Sequence, residues 1–459
     1  MSPQMVLVLC HDVVGERVAG PGIRYREIAR VLAQHFRVIL AVPNQSDLQD
    51  EAFEVWPYGR QIWDSLLPAA RQAQVILSPG DSLAEFPALE TLGVPLIVDG
   101  YDPHMLETLA LWANAPMDVQ AVHYRSRLDI LRRQCRAGDF FLCANERQRD
   151  WWLGLLERGG RLNPHTYTAD PSLRNLIDLV PYGVPSEPPK AARRVLRGVW
   201  PGIEAGDRLL LWGGGLWEWF DPLTAVRAVY RLVQEGMGDL RLVFPGTRHP
   251  NPSMPDMPMR TATVALTQEL GLHGSHAFFG DWVPHDDWPA VLLEADVGLS
   301  LHPDTAEARL AFRTRLVDYI WAGLPMTVTA GDTTSDIVSE HGLGEVVPPR
   351  DVTAVAAAVD RLLKTPDLRA AYQDAFGRLR SELTWERACE PLVRFCQNPT
   401  FAADRAAGSL PAAIVDRQAV ANQDAEIKRL RHLVEGYEQG RFMHLMRRWH
   451  RWRERLGQR

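Results

Sequence analysis

At 459 residues the chain exceeds what one ordinary hydrophobic core holds, so two or three domains are expected. Its 46% apolar and 23% charged residues exclude global disorder. A net charge of −7 argues against a general nucleic-acid binder, which needs a concentrated basic surface.

The opening MSPQMVLVLCHD has no charged leader and no small-residue cleavage site, so it reads as a first buried strand and not as a signal peptide. No apolar run is long enough to span a bilayer. Five cysteines, Cys10, Cys135, Cys143, Cys389 and Cys396, lack paired metal spacing and are expected as reduced core thiols of a cytoplasmic protein. Short apolar runs then recur between helical patterns: MVLVLC, VILAV, VILS, PLIVD, FFLCA and LVPY. That alternation predicts a parallel sheet covered by helices over residues 1–184.

Gly20, Pro21, Gly22 and Ile23 precede the helical pattern RYREIARVLAQHF, so this Gly-rich loop can face a cleft and offer a helix N-terminus to an anion or a sugar hydroxyl. The run VDGYDPHMLE puts Asp99, Asp102 and His104 at the carboxyl end of another strand, with His104 a donor, a base or a structural side chain. A Pro- and Arg-rich stretch over 185–206 is the expected linker. The strand rhythm restarts with LLLWGG, LRLVFPG, AFFG, VGLSLH, MTVTA and GEVVP, which predicts a second domain over 207–398 closed by the helix TWERACEPLVRFCQ. Two such arrays make an α/β chain of two Rossmann-like domains facing across a cleft, with ligands beyond the carboxyl ends of the strands.

Two features of the second array point to a ligand. Gly213, Gly214 and Gly215 follow its first strand and let backbone approach a ligand, although neither G-x-G-x-x-G nor a P-loop is present. In FRTRLVDYIWAGLP, Leu316, Val317, Ile320 and Trp321 form an inward helical stripe, and Arg313 falls in line with it. An inward Arg needs an anion, supplied by a ligand or by another element of the protein. Arg315 and Asp318 read either as ligand-facing groups or as a solvated pair one turn apart.

Residues 399–459 comprise an Ala-rich connector and a helical tail from about Ile414. Ile427, Leu430, Val434 and Tyr437 keep a short coiled-coil register, and after Gly440 the stripe slips by one position to Phe442, Leu445, Trp449, Trp452 and Leu456, with several arginines on the other faces. This suits either an anionic membrane interface or packing on a partner, including a second copy.

GDWVPHDDWPAVLLEADVGLSLHP followed by RTRLVDYIWAGLPMTVT resembles the GT-B glycosyltransferases of the family 4 type, over about residues 5–398. The resemblance implies a retaining, metal-independent hexosyl transfer from a nucleotide diphosphate sugar to a glycan or lipid-linked acceptor, in bacterial-type surface polysaccharide or glycolipid synthesis. No cofactor is implied, and the place of work is cytoplasmic or peripheral at the inner membrane face. Arg315 stands where the family has Lys, and Asp318 where it has the Glu that holds the donor ribose. Trp282 and Val283 would border the nucleobase. The sequence departs from the pattern in two places: Leu216–Trp219 replaces the diphosphate-gripping Arg and Lys, and Leu310 stands where a Glu is usual, with Glu307 nearest. The phosphate grip is therefore expected at Arg313, Arg315 and Arg248. Two alternatives are a degenerate scaffold organised by its tail and a nucleotide-sugar epimerase on the same fold.

Overall fold

The structure is a computed structural model and describes residues 4–254, 257–408 and 429. Residues through Ala406 form one compact unit. The unit from Ala407 onward is described only at Ala407, Gly408 and Arg429, so the tail helix expected over 414–459 lies outside the described residues.

Strands β1 (Met5–Leu9), β2 (Arg37–Val42), β3 (Glu54–Pro57), β4 (Val75–Pro79), β5 (Leu96–Asp99), β6 (Phe140–Cys143) and β7 (Ile177–Leu179) form one parallel sheet ordered 3-2-1-4-5-6-7. Strands β8 (Arg208–Trp212), β9 (Leu240–Phe244), β10 (Ala277–Phe279), β11 (Val297–Ser300), β12 (Met326–Thr329) and β13 (Gly344–Val347) form a second, ordered 10-9-8-11-12-13. The strand runs are continuously apolar because helices cover both faces of each sheet. Each order reverses once, between β1 and β4 and between β8 and β11, and such switch points open a crevice at the strand ends.

All six strands of the second sheet stand on runs visible in the sequence, whereas β3 was not among those expected. EVWP is short and half-exposed at the sheet edge and ends in Pro, so it lacks a continuous apolar run. A second difference is the helix expected to close the second array. It breaks at Cys389 into Trp385–Ala388 and Glu390–Gln397, and Trp385, Cys389, Leu392 and Cys396 pack into the core of the first sheet, with Phe395 stacked 4.7 Å from Phe140. The apolar stripe is read correctly, but periodicity does not say which sheet receives it. The 185–206 stretch has no helix or strand. Its backbone is nonetheless docked on the second sheet's side, where Glu294 accepts from the amides of Val195, Leu196 and Arg197.

The described part of the connector is anchored too. Arg161 and Asp404, both fully buried, pair at 2.6 and 3.1 Å, which ties the short helix Ala403–Ala406 to the first sheet's lobe. All five cysteines are free and buried. Among the described residues no helix is long and apolar enough to cross a membrane.

Candidate active site

A cavity of about 610 Å³ lies between the two sheets, lined from loops that follow β1, β4, β5, β8, β9, β10 and β11. Several bonds join the two lobes: at the cavity Trp282 Nε1 donates to the Val18 carbonyl at 2.9 Å, and beyond it Gln148 Nε2 donates to the Leu310 carbonyl at 2.9 Å and Arg147 pairs with Asp336 at 2.5 Å.

The helix Thr314–Ala322 forms because Leu316, Val317 and Ile320 bury one stripe, and it ends where Gly323 takes φ 60°, a conformation costly for other residues. Arg313 precedes its first turn instead of lying within it. The anion it needs is internal: Nη1 and Nη2 donate to the two oxygens of Glu307 at 2.9 and 2.8 Å, and Nε is 3.5 Å from Asp332. Arg313 and Glu307 both line the cavity, yet each is committed to the other, so the expectation of Arg313 as phosphate grip is corrected.

Arg315 is differently placed. Its guanidinium is buried over the Phe220 ring at 3.8 Å and Trp212 at 4.8 Å, Nη2 donates to the Gly215 carbonyl at 3.2 Å, and Nη1 has no hydrogen-bond partner. Burial lowers its pKa to about 10, which leaves it cationic at neutral pH. It makes no ion pair with Asp318, so the solvated-pair reading is also corrected. Asp318 instead accepts at Oδ2 from Trp288 Nε1 at 3.0 Å. Burial pushes its carboxyl up to about 7, against the pull of Trp288 and Arg315.

The Gly213–Gly215 turn lies along the same wall. The Gly213 amide donates to the Tyr319 hydroxyl at 2.8 Å, and Gly214 has φ 90°, so the turn is pinned from beneath by the helix that carries Arg315 and Asp318. Trp282 and Val283 line the cavity. Arg248 does not: it is exposed, and its neighbour His249 takes the cavity position.

On the facing lobe, the Gly20 stretch is not a loop before a helix but the first turn of the helix Gly20–Ala33. Gly20 lines the cavity. Gly22 does not: a Cβ there would meet Val18 Cγ2 at 2.4 Å and the Val13 carbonyl at 2.8 Å, so packing explains it. Asp102 and His104 both line the cavity, whereas Asp99 is sequestered in a bidentate, fully buried pair with Arg24 at 2.8 and 3.0 Å. His104 Nδ1 lies 3.1 Å from Glu107. Burial disfavours its charge, but the bond and charge of Glu107, with Asp102 behind, outweigh that and raise it to about 9. This favours His104 as a hydrogen-bond donor to a ligand in the cavity.

Sequence reasoning missed His11, Asp12 and Trp288. His11 and Asp12 follow MVLVLC directly, so the strand-end criterion that selected Asp102 would have found them. His11 is held neutral by burial, and its Nδ1 is unpartnered. Trp288 left no signal, because its role depends on facing Asp318 across 30 residues.

No family model and no curated protein matches the chain. Solved structures do. A sucrose-phosphate synthase from Thermosynechococcus elongatus superposes with TM-score 0.57 at 16% identity, covering 86% of this chain and 98% of that one. WaaG, a glycosyltransferase involved in lipopolysaccharide biosynthesis, gives 0.59 at 16% identity, with 86% and 100% coverage. Anabaena Alr3699/HepE, in complex with UDP and glucose, gives 0.59 at 11% identity, with 86% and 99% coverage. The chain has the GT-B fold of these proteins.

Proposed function

We propose that the chain is a glycosyltransferase that moves a sugar from a nucleotide diphosphate sugar to a glycan or lipid-linked acceptor. The observation that carries this reading is Arg315, a buried guanidinium with one amine lacking a protein partner, set beside a glycine turn at the switch point of the second sheet. A bound UDP in a structure of the same fold supports the choice of donor class. In this reading Arg315 Nη1 and the N-terminus of the helix Thr314–Ala322 face the diphosphate, and Asp318 Oδ1, the oxygen not taken by Trp288, accepts from the ribose.

The reaction breaks the bond between the anomeric carbon and the β-phosphate oxygen. The acceptor hydroxyl forms the new bond to that carbon, and its proton passes to the departing phosphate, on the same face when configuration is retained. Arg315 stabilises the charge that develops on the leaving group, so the reading includes no metal or other cofactor. His104, held cationic by Glu107, donates to a hydroxyl of the sugar or acceptor. The reading extends to a cytoplasmic protein that meets glycolipid or surface-polysaccharide intermediates at the inner membrane face, with residues 414–459 as its lipid contact or as its contact to a second copy. Release of nucleotide diphosphate from a panel of nucleotide sugars, by wild type, Asp318→Ala and Arg315→Met, tests it. Release that both substitutions abolish supports the reading, and wild-type release unaffected by either refutes the site.

A further inference from the structure

Where the resemblance leads one to expect cations after β8, this chain places aromatic rings, and they face the cavity. Trp217 and Trp219 lie parallel within 5°, 5.3 Å apart. His249 stands 5.9 Å from Trp217 at 60° and 5.5 Å from Trp282 at 57°. Trp282 is fixed by its bond to Val18. Burial keeps His249 neutral, and Arg248 is exposed outside the cavity.

Asp12, from the loop after β1, closes this corner from the other lobe. Its Oδ1 accepts from Asn251 Nδ2 at 2.8 Å, while its buried Oδ2 has no hydrogen-bond partner and lies 3.7 Å from His249 Nε2. The Asn251 backbone amide donates to His249 Nδ1, so the neutral ring carries its proton on Nε2, but at 3.7 Å that N–H does not reach Oδ2; a carboxylate oxygen with no donor in range is costly, and a ligand hydroxyl can supply one. A phosphate is repelled by the carboxylate. Trp217 and Trp219 stack on each other 5.3 Å apart and leave no slot for a flat base between them, and the remaining rings, tilted by about 60°, make a corner. A saturated pyranose fits such a corner, because its C–H bonds lie against ring faces while its hydroxyls donate.

We infer that Trp217, Trp219, His249, Trp282 and Asp12 form a sugar subsite, with the rings against the C–H face of a pyranose and Asp12 Oδ2 accepting from one hydroxyl. This rests on the cleft being a site of sugar transfer; the sugar belongs to the donor or to the acceptor.

Calorimetry of the full chain with UDP, UDP-glucose, GDP and GDP-mannose, together with retention of an immobilised panel of mono- to tetrasaccharides, tests it. Trp217→Ala and the isosteric Asp12→Asn are each expected to weaken one of two classes tenfold or more. Loss for nucleotide sugars but not free nucleotides assigns the donor's sugar, and loss for oligosaccharides alone assigns the acceptor's. Trp217→Phe is expected to restore most of the loss. Equal loss for free nucleotides overturns the inference, as does an Asp12→Asn protein that melts like wild type and binds every ligand within twofold of it. If the wild type binds no nucleotide, the donor reading fails by itself and the oligosaccharide arm decides the subsite; a wild type that holds neither class overturns both.

Discussion

Asp318→Asn keeps the side chain's shape and an oxygen for Trp288 but removes the charge, and it should make the protein more stable. In the folded chain burial raises the carboxyl from 3.8 to about 7. Between those values the unfolded chain binds fewer protons than the native one, so the carboxyl costs stability that grows as pH rises and levels off above about 7. The full displacement corresponds to at most ~4 kcal/mol at alkaline pH. Solvent reaching the cavity screens part of it, so we expect a gain of ~1–2 kcal/mol at pH 8. Urea unfolding followed by tryptophan fluorescence at pH 4 and pH 8 measures it. The gain should be small at pH 4 and full at pH 8; a gain independent of pH, or a loss at pH 8, would refute the reasoning. The same titration predicts that wild-type donor affinity falls about tenfold from pH 8 to pH 6, as the ribose-accepting carboxylate is protonated.

Arg315→Met should weaken nucleotide diphosphate binding by ~1.5–3 kcal/mol, the range for hydrogen bonds to charged groups, in a titration where the melting temperature does not fall. Glu307→Gln should do the reverse, lowering stability by ~1–3 kcal/mol because Arg313 loses its bidentate carboxylate and keeps only Asp332, 3.5 Å from Nε, as counter-charge, as thermal unfolding would record. Asp404→Ala should cost ~3–5 kcal/mol by stranding Arg161, which urea unfolding would detect although residue 404 is remote from the cavity.

Much of this architecture is written locally. Runs such as LLLW and VGLS are apolar on both faces, which a covered parallel strand requires, and they recur at the right spacing. The edge strand β3 is hidden because half-exposed residues such as Val55 and Trp56 carry no such run. Long-range choices are hidden for another reason. Periodicity marks Trp385, Cys389, Leu392 and Cys396 as buried, but only the folded chain shows that they cover the first sheet. At the site, the inward direction of Arg313 is legible while its partner Glu307 is not, because a helix end and a loop must first meet. Trp288 and Asp318 are paired by tertiary contact alone.

The most direct test is a crystal structure of the protein with UDP. A β-phosphate oxygen should lie within ~3 Å of Arg315 Nη1, with a ribose hydroxyl at a similar distance from Asp318 Oδ1. UDP bound away from both side chains, or with its phosphates held by Arg313 after displacing Glu307, would contradict the account.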